Sequence, residues 1–132
     1  MSDQKITPLL MFAGKAEEAL NYYINTFDRS EIIQIHRYGP NEPGAEGSVK
    51  HATFALNGQP FMCIDSNVEH AFTFTPAISF HVACETEEEI DRLFARLSQG
   101  GAILMPLAAY PFSRKFGWVA DKFGVSWQLS LA

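Results

Sequence analysis

Seven side chains carry most of the chemical possibility in this chain of 132 residues: His51, Cys63, His81, Tyr110, Phe112, Trp118 and Gln128. An imidazole changes charge near neutral pH, so His51 is a candidate general base. No carboxylate stands beside it in sequence, and its other reading is a histidine that is exposed or lines a cavity. Cys63 would be a nucleophile only as a thiolate; nothing basic adjoins it, so an inert core thiol is the competing reading. Tyr110, Phe112 and Trp118 offer flat apolar area to a ligand, and Arg114 and Lys115 could meet an anionic group. The same rings would equally anchor a loop to the core. Gln128 raises the sharpest question. In the run "VSWQLSL", Val125, Trp127, Leu129 and Leu131 share one face of an extended strand, and Ser126, Gln128 and Ser130 share the other. The apolar face packs on helices, and the polar face is left for a ligand.

The elements that position these residues repeat. "KAEEALNYYINTF" predicts a helix with Ala16, Leu20, Tyr23 and Phe27 as one apolar stripe. "TEEEIDRLFARLSQGG" predicts a second, with Thr86 and Glu89 as a capping box, a stripe of Ile90, Leu93, Phe94 and Leu97, and a stop at Gly100 and Gly101. Strands are expected in "ITPLLMF", "EIIQIHRY" and "SVKHATFALNGQPFMCID", the last a hairpin turning at Asn57-Gly58. From residue 76 the order returns: "AISFHVAC", the second helix, a short "AILMP", then "FGWVADKFGVSWQLSL" as a hairpin near Gly124. Glu17-Glu18 matches Glu88-Glu89, Tyr23 matches Phe94 and Ile32 matches Ile103, all 71 residues apart. The chain therefore reads as one domain over 1–132, built from duplicated βαβββ modules at 1–70 and 76–132. Each is too small to bury a sheet face alone. Residues 39–47 and 104–117 are expected to be long loops over a cavity.

Parity divides the strands. Ile78, Phe80, Val82 and Cys84 are expected against the helices, with Ser79, His81 and Ala83 on the other side. Lys50, Ala52, Phe54 and Leu56 likewise oppose His51, Thr53 and Ala55.

Bulk properties exclude several functions. A hydrophobic fraction of 47% with 19% charged residues is that of a globular chain. A formal charge of −5 argues against nucleic acid and anionic membrane surfaces as partners. No apolar run approaches the roughly 18 to 20 residues that span a bilayer, and "MSDQKITPLL" lacks the pattern of a signal peptide, so a cytoplasmic protein is expected. Cys63 and Cys84 form no Cys-x-x-Cys or Cys/His zinc spacing.

The βαβββ duplication resembles the vicinal oxygen chelate superfamily, which includes glyoxalase I, bleomycin resistance proteins and extradiol dioxygenases. The run "GGAILMPLAAYPFSRKFGWVADKFGVSWQL" is similar to its PhnB-like branch, also called 3-demethylubiquinone methyltransferase-like. So are "ITPLLMFAGKAEEALNYYINTF", "RYGPNEPGAEGSVKHATFALNGQPF" and "PAISFHVACETEEEIDRLFARLSQGG". The resemblance implies an α+β fold in which two βαβββ modules form a curved antiparallel sheet cup, helices outside and a small-molecule ligand inside. It also implies a homodimer. Metal-dependent relatives take ligands from the first and last strand of each module. By position, this chain offers His81 and Gln128 in the second module, but only Pro8 or Leu10 and Met62 or Cys63 in the first. Such a set lacks hard carboxylates, so no tightly bound metal and no cofactor are expected. His81 and Gln128 then read as cavity-lining residues or as side chains bonded within the sheet. The implied function is small-molecule binding, with a metal-dependent lyase or isomerase as the alternative. The methyltransferase of the branch name is disfavoured because no glycine-rich turn follows the first strand.

Overall fold

Helical stripes and strand alternation build one succession of elements twice over in the structure, a computed structural model that describes residues 5–132. The first set is β1 (Leu9–Phe12), α1 (Ala16–Thr26), β2 (Glu31–Arg37), β3 (Val49–Leu56) and β4 (Gln59–Asp65). The second is β5 (Phe80–Cys84), α2 (Glu87–Ser98), β6 (Ala102–Tyr110), β7 (Ser113–Ala120) and β8 (Ser126–Leu131). Each set makes its own four-stranded sheet, in the orders β1-β4-β3-β2 and β5-β8-β7-β6. Two compact units result, dividing between His70 and Ala71. The fold is α+β with two βαβββ modules, as expected from the repeat. The sheets are mixed rather than wholly antiparallel: β1 runs parallel to β4, and β5 to β8. The helical crossover forces this, since it sends β2 in the direction of β1, and two antiparallel steps then bring β4 to the same direction. No described helix is long and apolar enough to cross a membrane.

Each helix covers one face of its own sheet. In the first unit, Ala16, Leu20 and Tyr23 of α1 are buried, as are Ala52 and Phe54 of β3 and Phe61 and Cys63 of β4. In the second unit, Ile90, Leu93 and Leu97 of α2 are buried, with Val119 of β7 and Trp127, Leu129 and Leu131 of β8. Gly117 permits close approach on that face, because a Cβ there would stand 2.5 Å from the Phe94 ring of α2. The expected parity of β8 is thus observed along its whole length. That of the strand before α2 begins only at Phe80: Ile78 lies outside β5 and is 70% exposed, so it does not face a helix.

The two helices start differently. Thr86 Oγ1 accepts a hydrogen bond from the Glu89 N–H at 3.1 Å, and the Glu89 carboxylate accepts from the Glu85 N–H at 2.8 Å. This is a capping box displaced by one residue on its return arm. Lys15 at the start of α1 gives no side-chain cap. Asp65, at the end of the neighbouring strand β4 and opposite Phe12, does so instead. Its Oδ1 accepts from Gly14 and Ala16 N–H, each at 2.9 Å, and its Oδ2 from Val49 N–H at 3.0 Å.

The segment 104–117, expected to be a loop, is instead most of a hairpin in which β6 pairs with β7 as far as Tyr110 opposite Ser113. Pro106 is accommodated within β6 because that strand lies at the sheet edge, where a missing N–H breaks no central ladder. The hairpin at Asn57-Gly58 is present as expected, with φ of +50° and +83° at its two residues. Residues 38–48 form the one long connection of the first unit, closed by Tyr38 N–H to Ser48 O at 2.9 Å and Gly47 N–H to Tyr38 O at 2.8 Å.

Removing the carboxylate in Asp65→Ala leaves three buried or half-buried backbone N–H groups without their acceptor. A loss of about 3 kcal/mol in urea unfolding is expected. A loss below about 1 kcal/mol would show that water replaces the carboxylate at little cost.

Candidate functional site

Strand register places the candidate residues. His81 stands beside Gln128, Gln128 opposite Trp118 and Trp118 opposite Met105, giving one row across β5, β8, β7 and β6 on the face turned away from α2. His81 is exposed; Gln128, Trp118 and Met105 are half-buried. Trp118 is held in place by its indole N–H, which donates to Ser126 Oγ at 2.8 Å, and Ser126 Oγ lies 2.6 Å from Ser79 Oγ. Parity puts His81 and Gln128 on open faces, and Trp118 is expected at the end of a loop; strand register is what brings the three together, and nothing in the sequence signals the serine pair that fixes the indole.

Tyr110 and Phe112 sit around the tip of the β6–β7 hairpin. They stack at 5.6 Å between ring centroids and meet Phe116 edge-on at 5.8 and 5.0 Å. Phe116 is buried on the same face as Trp118, two residues away in β7, and that spacing was the signal that could have identified it. Phe112 is 66% exposed, an apolar ring open to solvent at the edge of the cluster. Arg114 shares the face of Phe116 by alternation and is exposed. Lys115 points the other way, 2.8 Å from Asp91 and 3.3 Å from Glu87 of α2, and so is not on the ligand face.

The first unit repeats the row with different residues. Leu9 stands beside Met62, Met62 opposite Thr53 and Thr53 opposite Gln34. Leu9 and Met62 are therefore the counterparts of His81 and Gln128: of the alternatives Met62 and Cys63 the register selects Met62, and on the first strand it puts Leu9 in place of Pro8 or Leu10. Leu10 and Cys63 face the core at 6% and 1% exposure. His51 lies on the open face, half-buried, in the adjoining row opposite His36. Cys63 drops out of the side chains open to a ligand, because its strand position turns it to the helix side.

The donor chemistry at the positions where relatives ligate a metal is one imidazole, one amide, one thioether and a leucine. A hard divalent cation is not fitted by that set, which supplies no carboxylate, and a borderline one finds a single imidazole there rather than the two or more it takes for a chelate. Among the described residues no three His, Cys, Asp or Glu side chains gather in ligating geometry.

The profile of the 3-demethylubiquinone-9 3-methyltransferase family matches residues 4–130. The chain belongs to this family. It is similar to a PhnB protein from Bacillus cereus bearing the same methyltransferase name, with 69% identity over 98% of this chain and all of that one, and a TM-score of 0.96. YjdN of Escherichia coli K12 is 25% identical over 96% of this chain and 94% of its own length. A glyoxylase/bleomycin resistance protein/dioxygenase domain from Frankia shares the fold at a TM-score of 0.69, with 14% identity over 99% of this chain and 93% of that one. The fold of this family is thus shared with a glyoxylase/bleomycin resistance protein/dioxygenase domain.

Both thiols of this family member are poor nucleophiles. Burial, with the nearby Asp65 charge adding to it, pushes the Cys63 thiol from the ordinary 9.0 up to about 12. Burial, then the Glu89 charge, raises Cys84 to about 11. Above about pH 9 the unfolded thiols ionise while the folded ones stay protonated, so the unfolded state holds fewer protons and stability falls as pH rises. Negligible labelling by a thiol reagent is expected at about pH 8, against complete labelling in urea. Rapid labelling of folded protein would refute the assignment of both sulfurs to the core.

Proposed function

We propose that this protein binds a small organic molecule on the open face of its second unit, through His81, Gln128 and Trp118, without a tightly held metal ion. The observation that carries the reading is the row itself: an imidazole, an amide and an indole side by side across three hydrogen-bonded strands. The Gln128 amide can donate and accept, and His81 adds a ring nitrogen of either kind. Because the indole N–H is already engaged by Ser126, Trp118 offers its flat carbon face, and the ordering cost of that ring is met before binding. The Tyr110–Phe112–Phe116 cluster extends the apolar surface, and Arg114 supplies a cation for an acidic group on the ligand. The expected ligand is thus a molecule with a flat apolar body, at least one hydrogen-bonding group and room for an anionic one.

A lyase or isomerase working through a metal would need about three good ligands in this row, and Leu9, Met62, His81 and Gln128 supply one imidazole and one weakly donating amide. The methyl transfer in the family name would call for a nucleotide-type site at a glycine-rich strand-to-helix turn. Here the turn into α1 has the N–H groups of Gly14 and Ala16 taken by Asp65. Binding without turnover, of the kind suggested by the bleomycin resistance name of the Frankia relative, is the reading that asks nothing more of the chain.

The same proposal includes a homodimer, supported by the edge strands β2 and β6, which leave Ile32, Ile33, Ile103 and Leu104 exposed at matching places. Light scattering at micromolar concentration should give twice the chain mass, and a monomer would contradict it.

For compounds selected by thermal shift from a library of small aromatic acids, His81→Ala and Gln128→Ala are each expected to weaken binding by roughly tenfold or more. Cys63→Ala, judged on folded protein, should leave affinity unchanged. Equal affinity in wild type and both row variants would move the site away from this face.

A further inference from the structure

We propose that His36 and His51, with Gln34, form a second site, one that takes a borderline divalent transition metal ion such as zinc or nickel(II). The inference does not depend on the ligand face of the second unit. Its basis is register. His36 stands directly opposite His51 on the antiparallel pair of β2 and β3, and Gln34, two residues earlier, stands opposite Thr53. Between Gln34 and His36 the pairing is regular, so Gln34, His36, His51 and Thr53 make a two-by-two polar patch on the open face, while Ile35 and Ala52 between them turn to the other side.

Directly opposed strand residues hold their Cβ atoms about 4.5 to 5.5 Å apart. Two imidazole nitrogens on one tetrahedral zinc, at about 2.0 to 2.1 Å from the metal, stand roughly 3.3 Å from one another. A cross-strand histidine pair spans that gap by rotation of its side chains alone. The third donor is already beside the first: Gln34 Nε2 lies 2.7 Å from His36 Nε2. Half a turn of the amide exchanges its nitrogen for Oε1 at that place, giving two imidazoles and a carbonyl-type oxygen on one side of an ion and leaving the remaining positions to water.

The surroundings permit it. Gln34 and His36 are exposed and His51 is half-buried, so an ion can enter from solvent. The two cations next to the histidines in sequence are both engaged elsewhere: Arg37 donates to Glu17 of α1 at 3.0 and 2.6 Å, and Lys50 pairs with Glu42 at 2.7 Å. Imidazole ligands favour nickel, copper and zinc over magnesium or calcium, which sets the metal class. With two strong donors rather than four, binding should be reversible and lost on desalting.

Titration calorimetry of the full chain with zinc chloride, and separately with nickel chloride, tests the site. One ion per chain is expected for wild type and for His81→Ala. Binding weaker by roughly tenfold or more is expected for His36→Ala and for His51→Ala, with little further loss when the two are combined, because either change alone destroys the chelate. Gln34→Ala should show a smaller loss in the same direction. As a second readout, zinc should raise the thermal midpoint of wild type and of His81→Ala but not of the His36 and His51 variants. Absence of binding to wild type, or binding by the His36 and His51 variants as tight as wild type, overturns the proposal.

Discussion

A buried carboxylate, Asp65, starts the first helix from the end of the strand beside β1. It is 4% exposed and accepts hydrogen bonds from Gly14, Ala16 and Val49, thereby joining the entry to α1, the start of β3 and the end of β4 at one point. The first turn of a helix carries N–H groups that nothing within the helix satisfies, and buried N–H groups without partners are costly. Asp65 satisfies them over 49 and 51 residues of sequence separation. Fixing Asp65 to the helix side also fixes parity along β4: Cys63 and Phe61 must face the core, and Met62 must face outward. The open face of the first unit is thereby determined.

The second unit reaches the same architecture with local chemistry. Thr86 and Glu89 close the helix start within four residues, and the strand position matching Asp65 is taken by the apolar Leu131. A buried carboxylate appears elsewhere, in the turn between β7 and β8. There Asp121 accepts from Phe123 and Val125 N–H at 2.8 and 3.1 Å and from the Trp127 indole N–H at 2.9 Å. That turn sets where β8 begins, and with it the register that puts Gln128 between His81 and Trp118. In each unit a polar group buried among apolar side chains fixes which residues are offered to solvent.

Much of this was legible in the sequence, and what was not has physical causes. Helix stripes, the Thr86 cap, the Asn57-Gly58 turn and the alternation of β8 are short-range signals, and all four are present. The correspondence between units was readable through the helices, where Ala16 and Glu87 are 71 residues apart. It then drifts, because the connection after β2 is long while the β6–β7 turn is tight. Thr53 and Trp118 are 65 apart, and Met62 and Gln128 are 66 apart. No single offset could therefore have found Leu9 and Met62 as the counterparts of His81 and Gln128. Pairing across strands was equally hidden: nothing near His51 in sequence points to His36, which reaches it only through a register flanked by bulges. Residues 104–117 read as a loop because the repeat set them against 39–47, and sequence does not reveal that β6 runs on to Tyr110 and turns tightly into β7.

The central claim is that the row through His81 and Gln128 meets its ligand without a resident metal. The most direct measurement is metal content per chain by elemental mass spectrometry, on tag-free protein incubated with nickel, zinc, iron and manganese and then desalted. The His36→Ala/His51→Ala variant should be measured alongside wild type. Content far below one ion per chain is expected in both. Close to one ion per chain, retained by the double variant and lost in His81→Ala, would contradict it and put a metal at the very row read here as metal-free.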